Sequence, residues 1–170
     1  MAKRTHLFLD LEDTIIEPVT DGWHNTRLKN VEKVRRVISE VKPHQIHIFS
    51  FAIWDLRQLG LFETSLTRKM IEDALSIRLA SIPTVDDDII PVCTNVRKIA
   101  CETVDFQEMS AFWGKEGAFR LNCLHVFKNA KEDGNEIEAI LLDDDVRNEN
   151  IEFPDLNLRI RLINIDTLEG

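Results

Sequence analysis

Cysteine, glycine, proline and positive charge are all scarce in this sequence, and each shortage excludes something. The three cysteines among 170 residues, Cys93, Cys101 and Cys123, form no C-x-x-C pair and have no neighbouring histidine pattern. That argues against a disulfide framework or a structural zinc site, and all three are expected to be reduced and buried. Six glycines and five prolines do not gather into a linker, and there is no internal repeat or low-complexity segment, so one domain over residues 1–170 is expected. No apolar run is long enough to cross a bilayer, and the start, MAKRTHLF, lacks the apolar stretch of a signal peptide. A cytoplasmic protein without a membrane partner is the expectation. With 21 Lys+Arg against 30 Asp+Glu the formal net charge is -9, which disfavours a polynucleotide partner, because a phosphate backbone is held chiefly by clustered Lys and Arg.

Apolar residues make up 44% of the chain, enough for one compact core, and they fall in short runs rich in β-branched and aromatic side chains at residues 7–11, 46–51, 89–93, 139–142 and 160–165. Runs that are apolar at nearly every position are what a parallel sheet covered on both faces requires. Between them lie helical periodicities. Over 27–41, Val31, Val34, Ile38 and Val41 form one stripe, Lys29, Lys33 and Arg36 face away, and Pro43 ends the pattern. Over 65–79, Leu66, Met70 and Ala74 are in register, with Pro83 beyond; residues 95–103 and 105–113 carry weaker helical patterns, and 84–88 (TVDDD) reads as a loop. Strands alternating with helices predict a doubly wound, mainly parallel α/β sheet, whose ligand site lies beyond the carboxyl ends of the central strands.

The chemistry-bearing residues stand at those ends. Leu7-Phe8-Leu9 runs into Asp10-Leu11-Glu12-Asp13-Thr14, Ile46-His47-Ile48-Phe49 ends in Ser50, and Ala139-Ile140-Leu141-Leu142 ends in Asp143-Asp144-Asp145. Carboxylates crowded at adjacent strand ends repel one another unless a cation sits among them, and an all-oxygen donor set implies Mg²⁺. A carboxylate nucleophile, a second carboxyl two residues on, a metal and a hydroxyl suit phosphoryl transfer through an aspartyl-phosphate. The run Asp86-Asp87-Asp88 reads as a solvated turn, and Trp23, in the loop after Thr14, either lines the site mouth or packs.

These residues resemble the haloacid dehalogenase-like (HAD) superfamily. Its first motif, an apolar strand followed by D-x-D-x-T, is matched by LFLDLEDT; its second, a strand ending in Ser or Thr, by HIFS at Ser50; its fourth, a strand ending in two acids, by AILLDDD, with Asp143 to Asn148 resembling the D-D-x-x-x-N variant. The third motif is a lysine upstream of the last strand. Lys128, 15 residues before Asp143, has the gap of the family's small phosphatases; Lys131 competes with it, and Lys98 and Lys115 lie farther upstream. The resemblance implies a HAD-like Rossmannoid fold with a small or absent cap, and a Mg²⁺-dependent phosphatase acting on a small phosphate ester or a phosphoprotein. Asp10 would be nucleophile and metal ligand, Asp143 and Asp144 further ligands, and Thr14, Ser50 and Lys128 the phosphate-binding groups. Glu12 stands where the family carries its general-acid Asp, and its main-chain carbonyl would also ligate the metal. The alternative is a catalytically weak or inactive domain of this type serving as a binding or regulatory module, with Glu12 marking the loss of the acid.

Overall fold

The structure is a computed structural model, and it describes residues 2–18, 23, 26–50, 52–53, 56–80 and 106–169. Five strands form one sheet: β1 (Ala2–Leu9), β2 (Gln45–Ile48), β3 (Asn135–Asp143), β4 (Glu149–Phe153) and β5 (Leu158–Asn164), in the order β2-β1-β3-β5-β4. Every neighbouring pair is parallel except β4 and β5. Four helices accompany them: α1 (Val31–Val41), α2 (Leu56–Glu63), α3 (Leu66–Leu75) and α4 (Phe106–Val126).

The central strands are buried on both faces, which is why they read as continuous apolar runs. Leu7, Leu9, Ile140, Leu142 and Ile163 pack on one side with Val34 and Val37 of α1, Phe62 of α2 and Ile71 of α3. Phe8, Ala139, Leu141, Ile160 and Leu162 pack on the other with Ala118, Phe119 and Cys123 of α4. Each such Leu, Ile or Phe contributes roughly 1.5–3 kcal/mol by leaving water, so the alternation of faces along β1 and β3 fixes their register. The α/β expectation is met, with helices on both faces of a mostly parallel sheet. Among the described residues no helix is long and apolar enough to cross a membrane.

Some boundaries differ from the periodicity. Residues 27–29 are not helical: Glu17 N–H donates to Arg27 O at 2.8 Å and Lys29 N–H to Ile15 O at 2.9 Å, a short antiparallel contact that delays α1 to Val31. Asn30, at φ 56°, turns the chain into the helix, and its Nδ2 donates to Thr14 O at 3.0 Å. The helix expected over 65–79 is α3; Ser65 caps it by accepting from Arg68 N–H, and Ser76, at φ 55°, ends it early. The pattern at 105–113 belongs to α4, which runs on to Val126 with a break at Gly114. Helix α2 and the antiparallel strand β4 carried no distinct sequence signal. The strand expected at 89–93, the helix at 95–103 and the loop at 84–88 lie outside the described residues, as do Cys93 and Cys101. Cys123 is buried and unpaired as expected, and burial pushes its thiol well above the usual range.

Candidate active site

The site is a consequence of strand register. Leu9 of β1 lies opposite Leu142 of β3, and Asp10 N–H donates to Leu142 O at 3.1 Å, so Asp10 and Asp143 leave the sheet side by side. Alternation along each strand puts both on the face of Phe8 and Leu141, against α4. Asp144 follows, and one carboxylate oxygen from each of Asp10, Asp143 and Asp144 lies within 4.8 Å of the others. Asp10 is 6% exposed and Asp143 1%.

After Asp10 the chain turns tightly: the N–H groups of Thr14, Ile15 and Ile16 all point at Leu11 O, at 3.0–3.1 Å, with Asp13 held at φ 62°. The turn brings Thr14 back onto the acids. Its Oγ1 lies 3.1 Å from Asp10 Oδ2 and 3.4 Å from Asp144 Oδ1, and as it has one proton it donates to one of them at a time. Thr14 is fully buried, so it braces the carboxylates rather than facing solvent.

The lysine of the site is Lys115, not Lys128. Lys115 Nζ lies 2.9 Å from Asp10 Oδ1 and 3.1 Å from Asp143 Oδ2, and 5.1 Å from the centre of the Phe49 ring. Lys128 is exposed in the turn after α4. The reason is the direction of α4, which runs against the parallel strands: Lys115 meets Asp10, Phe119 meets Phe8, and Phe127 meets His6. At about 1.5 Å per residue, the helical run from Lys115 to Val126 carries the chain about 16 Å from the strand ends. Lys131 is exposed in the same turn, and Lys98 lies outside the described residues. The sequence did carry a signal for Lys115: with Ala118, Phe119, Asn122 and Cys123 it occupies the inward stripe of its helix, where a charged residue needs a partner. Gly114 precedes it at φ 59°, ψ -164°, a conformation essentially confined to glycine, and this break starts the second stretch of α4 with Lys115 against the acids.

Glu12 is half-buried and lines the same pocket, of about 330 Å³, as Asp10, Asp13, Asp143, Asp144, Asp145, Gly114 and Lys115. Ser50 is buried at the end of β2, where its Oγ accepts from Ala52 N–H at 3.1 Å, and it is not among the lining residues. Trp23 packs instead of lining the mouth: it is 2% exposed, edge-on to Phe62, with Nε1–H donating to Gln58 Oε1 at 3.3 Å. Asn164, which the sequence did not single out, supports the acidic loop from β5. Its Nδ2 donates to Val146 O at 2.8 Å and Asp144 O at 3.3 Å, while its own N–H donates to Asn148 Oδ1 at 2.7 Å.

The crowding shows in the proton affinities. Burial pushes the Asp10 carboxyl up to about 7, and the negative charge of Asp143 adds to the rise while Lys115 opposes it. Asp144 is raised for the same two reasons, burial first and Asp143 second. The ammonium of Lys115, 3.1 Å from the buried Asp143 Oδ2, is the charge partner the structure gives that oxygen. Three acids against one ammonium leave an all-oxygen group with excess negative charge, which fits a hard cation, so Asp10, Asp143 and Asp144 could hold a metal ion. No family model, no curated protein and no solved structure matches this chain.

Proposed function

We propose that this chain is a Mg²⁺-dependent phosphohydrolase of the HAD-like type, working through an aspartyl-phosphate on Asp10. The observation that carries the proposal is the convergence of Asp10, Asp143 and Asp144 within 4.8 Å at the carboxyl ends of neighbouring parallel strands, with Lys115 bridging two of them. The order of the motifs along the chain, Asp10 after β1, Ser50 after β2 and the acid pair at the end of β3, is the order the resemblance requires.

In this scheme an Asp10 carboxylate oxygen attacks phosphorus as the bond to the leaving oxygen breaks, and that oxygen takes its proton from Glu12. Glu12, now ionised, removes a proton from the water that attacks the aspartyl-phosphate, which releases inorganic phosphate and regenerates both side chains. Lys115 neutralises charge on the phosphoryl oxygens, the part expected of Lys128, and Thr14 holds Asp10 and Asp144 in place; Ser50, buried and outside the pocket lining, takes no part in the scheme. A Mg²⁺ held by Asp10, Asp143, Asp144 and the Glu12 main-chain carbonyl would supply Lewis-acid stabilisation of the same charge.

Phosphate release from an aryl phosphate tests this. Turnover that needs Mg²⁺ and disappears in Asp10→Asn supports it; a folded protein that binds Mg²⁺ without turnover favours a binding or regulatory module. The longer Glu12 side chain at the general-acid position is the feature behind that second outcome. Glu12→Asp then separates a misplaced acid, which gains activity, from a site without chemistry, which does not.

A further inference from the structure

An asparagine placed just ahead of a helix normally has extended backbone and accepts, through its side-chain oxygen, an N–H of the first turn. Asn30, ahead of α1, does neither. Its backbone is left-handed, at φ 56°, ψ 22°, and its side chain makes no capping bond. The amide reaches instead to the turn that follows β1, where Nδ2 donates to Thr14 O at 3.0 Å. Thr14 is 0% exposed, so that carbonyl is shut away from water, and among the described residues no other donor reaches it. Lys29 holds the same turn from the preceding position, its N–H donating to Ile15 O at 2.9 Å.

The two oxygens of Asp10 are held separately. Lys115 Nζ lies 2.9 Å from Oδ1, while Thr14 Oγ1 lies 3.1 Å from Oδ2 and 3.4 Å from Asp144 Oδ1. With Oδ1 on the lysine, the plane of the carboxylate depends on whether the single Thr14 proton goes to Asp10 or to Asp144, and the two distances are close enough for a small shift of Thr14 to reverse the choice. We infer that, within the phosphohydrolase reading on which this inference rests, Asn30 is a positioning residue for the nucleophile: by fixing Thr14 it sets the orientation in which Asp10 attacks phosphorus. The helix gives up a cap for that placement. A misplacement of about 1 Å costs about a hundredfold in rate, so a partial loss of alignment is expected to lower kcat at least tenfold. Asn30 lines no part of the pocket, so KM is expected to hold.

The test is aryl phosphate turnover with Mg²⁺ in Asn30→Asp and Asn30→Gly, with Asp10→Asn as control. Both replacements tolerate left-handed backbone; the first puts a carboxylate oxygen in place of the donor and the second removes the side chain. The expected result for each is native circular dichroism, a kcat lowered at least tenfold and a KM changed less than threefold. Added to Thr14→Val, which lacks the hydroxyl, Asn30→Asp should lower kcat by less than a further twofold, because the two residues act as one unit. Asp10-dependent turnover with kcat unchanged in the Asn30 variants, with the loss in KM, or with additive losses in the double variant overturns this inference and leaves the phosphohydrolase proposal standing. Loss of the fold in both Asn30 variants also overturns it, since Asn30 would then serve the fold alone. Turnover that is absent from the parent protein, or that survives Asp10→Asn, removes both.

Discussion

Replacing Lys115 by methionine separates the buried lysine from its surface competitor and puts a magnitude on the difference. Methionine keeps much of the length of the side chain and its contact with Phe49, so what is lost is the ammonium between Asp10 and Asp143, at 2.9 and 3.1 Å. Those carboxylates are 6% and 1% exposed, and water cannot replace the lost partner. Removing one side of a buried ion pair destabilises by about 3–5 kcal/mol. Protonation of Asp10 limits the loss, so about 3 kcal/mol is expected at pH 7.5 in chelator, a fall in Tm of roughly 6–12 °C for a chain of this length. The sign of the pH dependence follows. Asp10 has a native value raised above the ordinary one, so the native state binds more protons than the unfolded chain, and its unfavourable contribution fades as pH falls from about 7 toward 4. Without Lys115 the rise is larger, and the deficit of the variant narrows at pH 5.5. Lys128→Met, at an exposed position, stays within about 0.5 kcal/mol. Urea unfolding at the two pH values checks all of this. Equal stability of the two variants, or a Lys115→Met deficit that ignores pH, would refute the placement of Lys115 in the acidic cluster.

Gly114→Ala meets no neighbour within 4 Å, so its cost of about 1–3 kcal/mol is torsional. Relaxing the strain moves Lys115, and aryl phosphate turnover should drop well below that of Lys128→Met in parallel assays. Asn164→Ala frees the carbonyls of Asp144 and Val146, and a Mg²⁺ Kd weakened about tenfold is expected by calorimetry, as for other residues that hold a ligand loop. An unchanged Kd would count against the role given to Asn164. His6 and His47, 3.0 Å apart between ring nitrogens, are both lowered to about 4, chiefly by burial, from an ordinary 6.5. The unfolded chain therefore takes up protons first. Stability is full above about pH 6.5 and declines toward pH 4, by up to about 1.4 kcal/mol per pH unit for each imidazole. His47→Leu should flatten this slope in denaturant titrations across that window.

How much of this was legible in the sequence depended on whether a residue's role is local. Asp10 and Asp143 could be found because each ends an apolar run, and a parallel register needs no more than two such runs of matching length to bring the acids together. Ser50 could be placed at the end of its strand for the same reason, but not relative to the pocket, since that depends on how β2 is staggered against β1. Lys128 was preferred by its spacing from Asp143, which is a rule about chain length, whereas the lysine that reaches the acids is chosen by the direction of a helix. Lys115 stands where α4 begins its passage along the sheet, close to the strand ends, and Lys128 where that passage is over. Helix α2 and strand β4 escaped notice because α2 is short and β4 alternates half-buried and exposed residues at the sheet edge, with too little burial to impose an apolar run. A charged residue on a helical stripe that otherwise holds Ala118, Phe119, Asn122 and Cys123, next to a glycine, is the one-dimensional trace of the arrangement at Lys115. Burying an ammonium there is tolerable only if carboxylates wait for it, and the chain offers such carboxylates at the ends of β1 and β3.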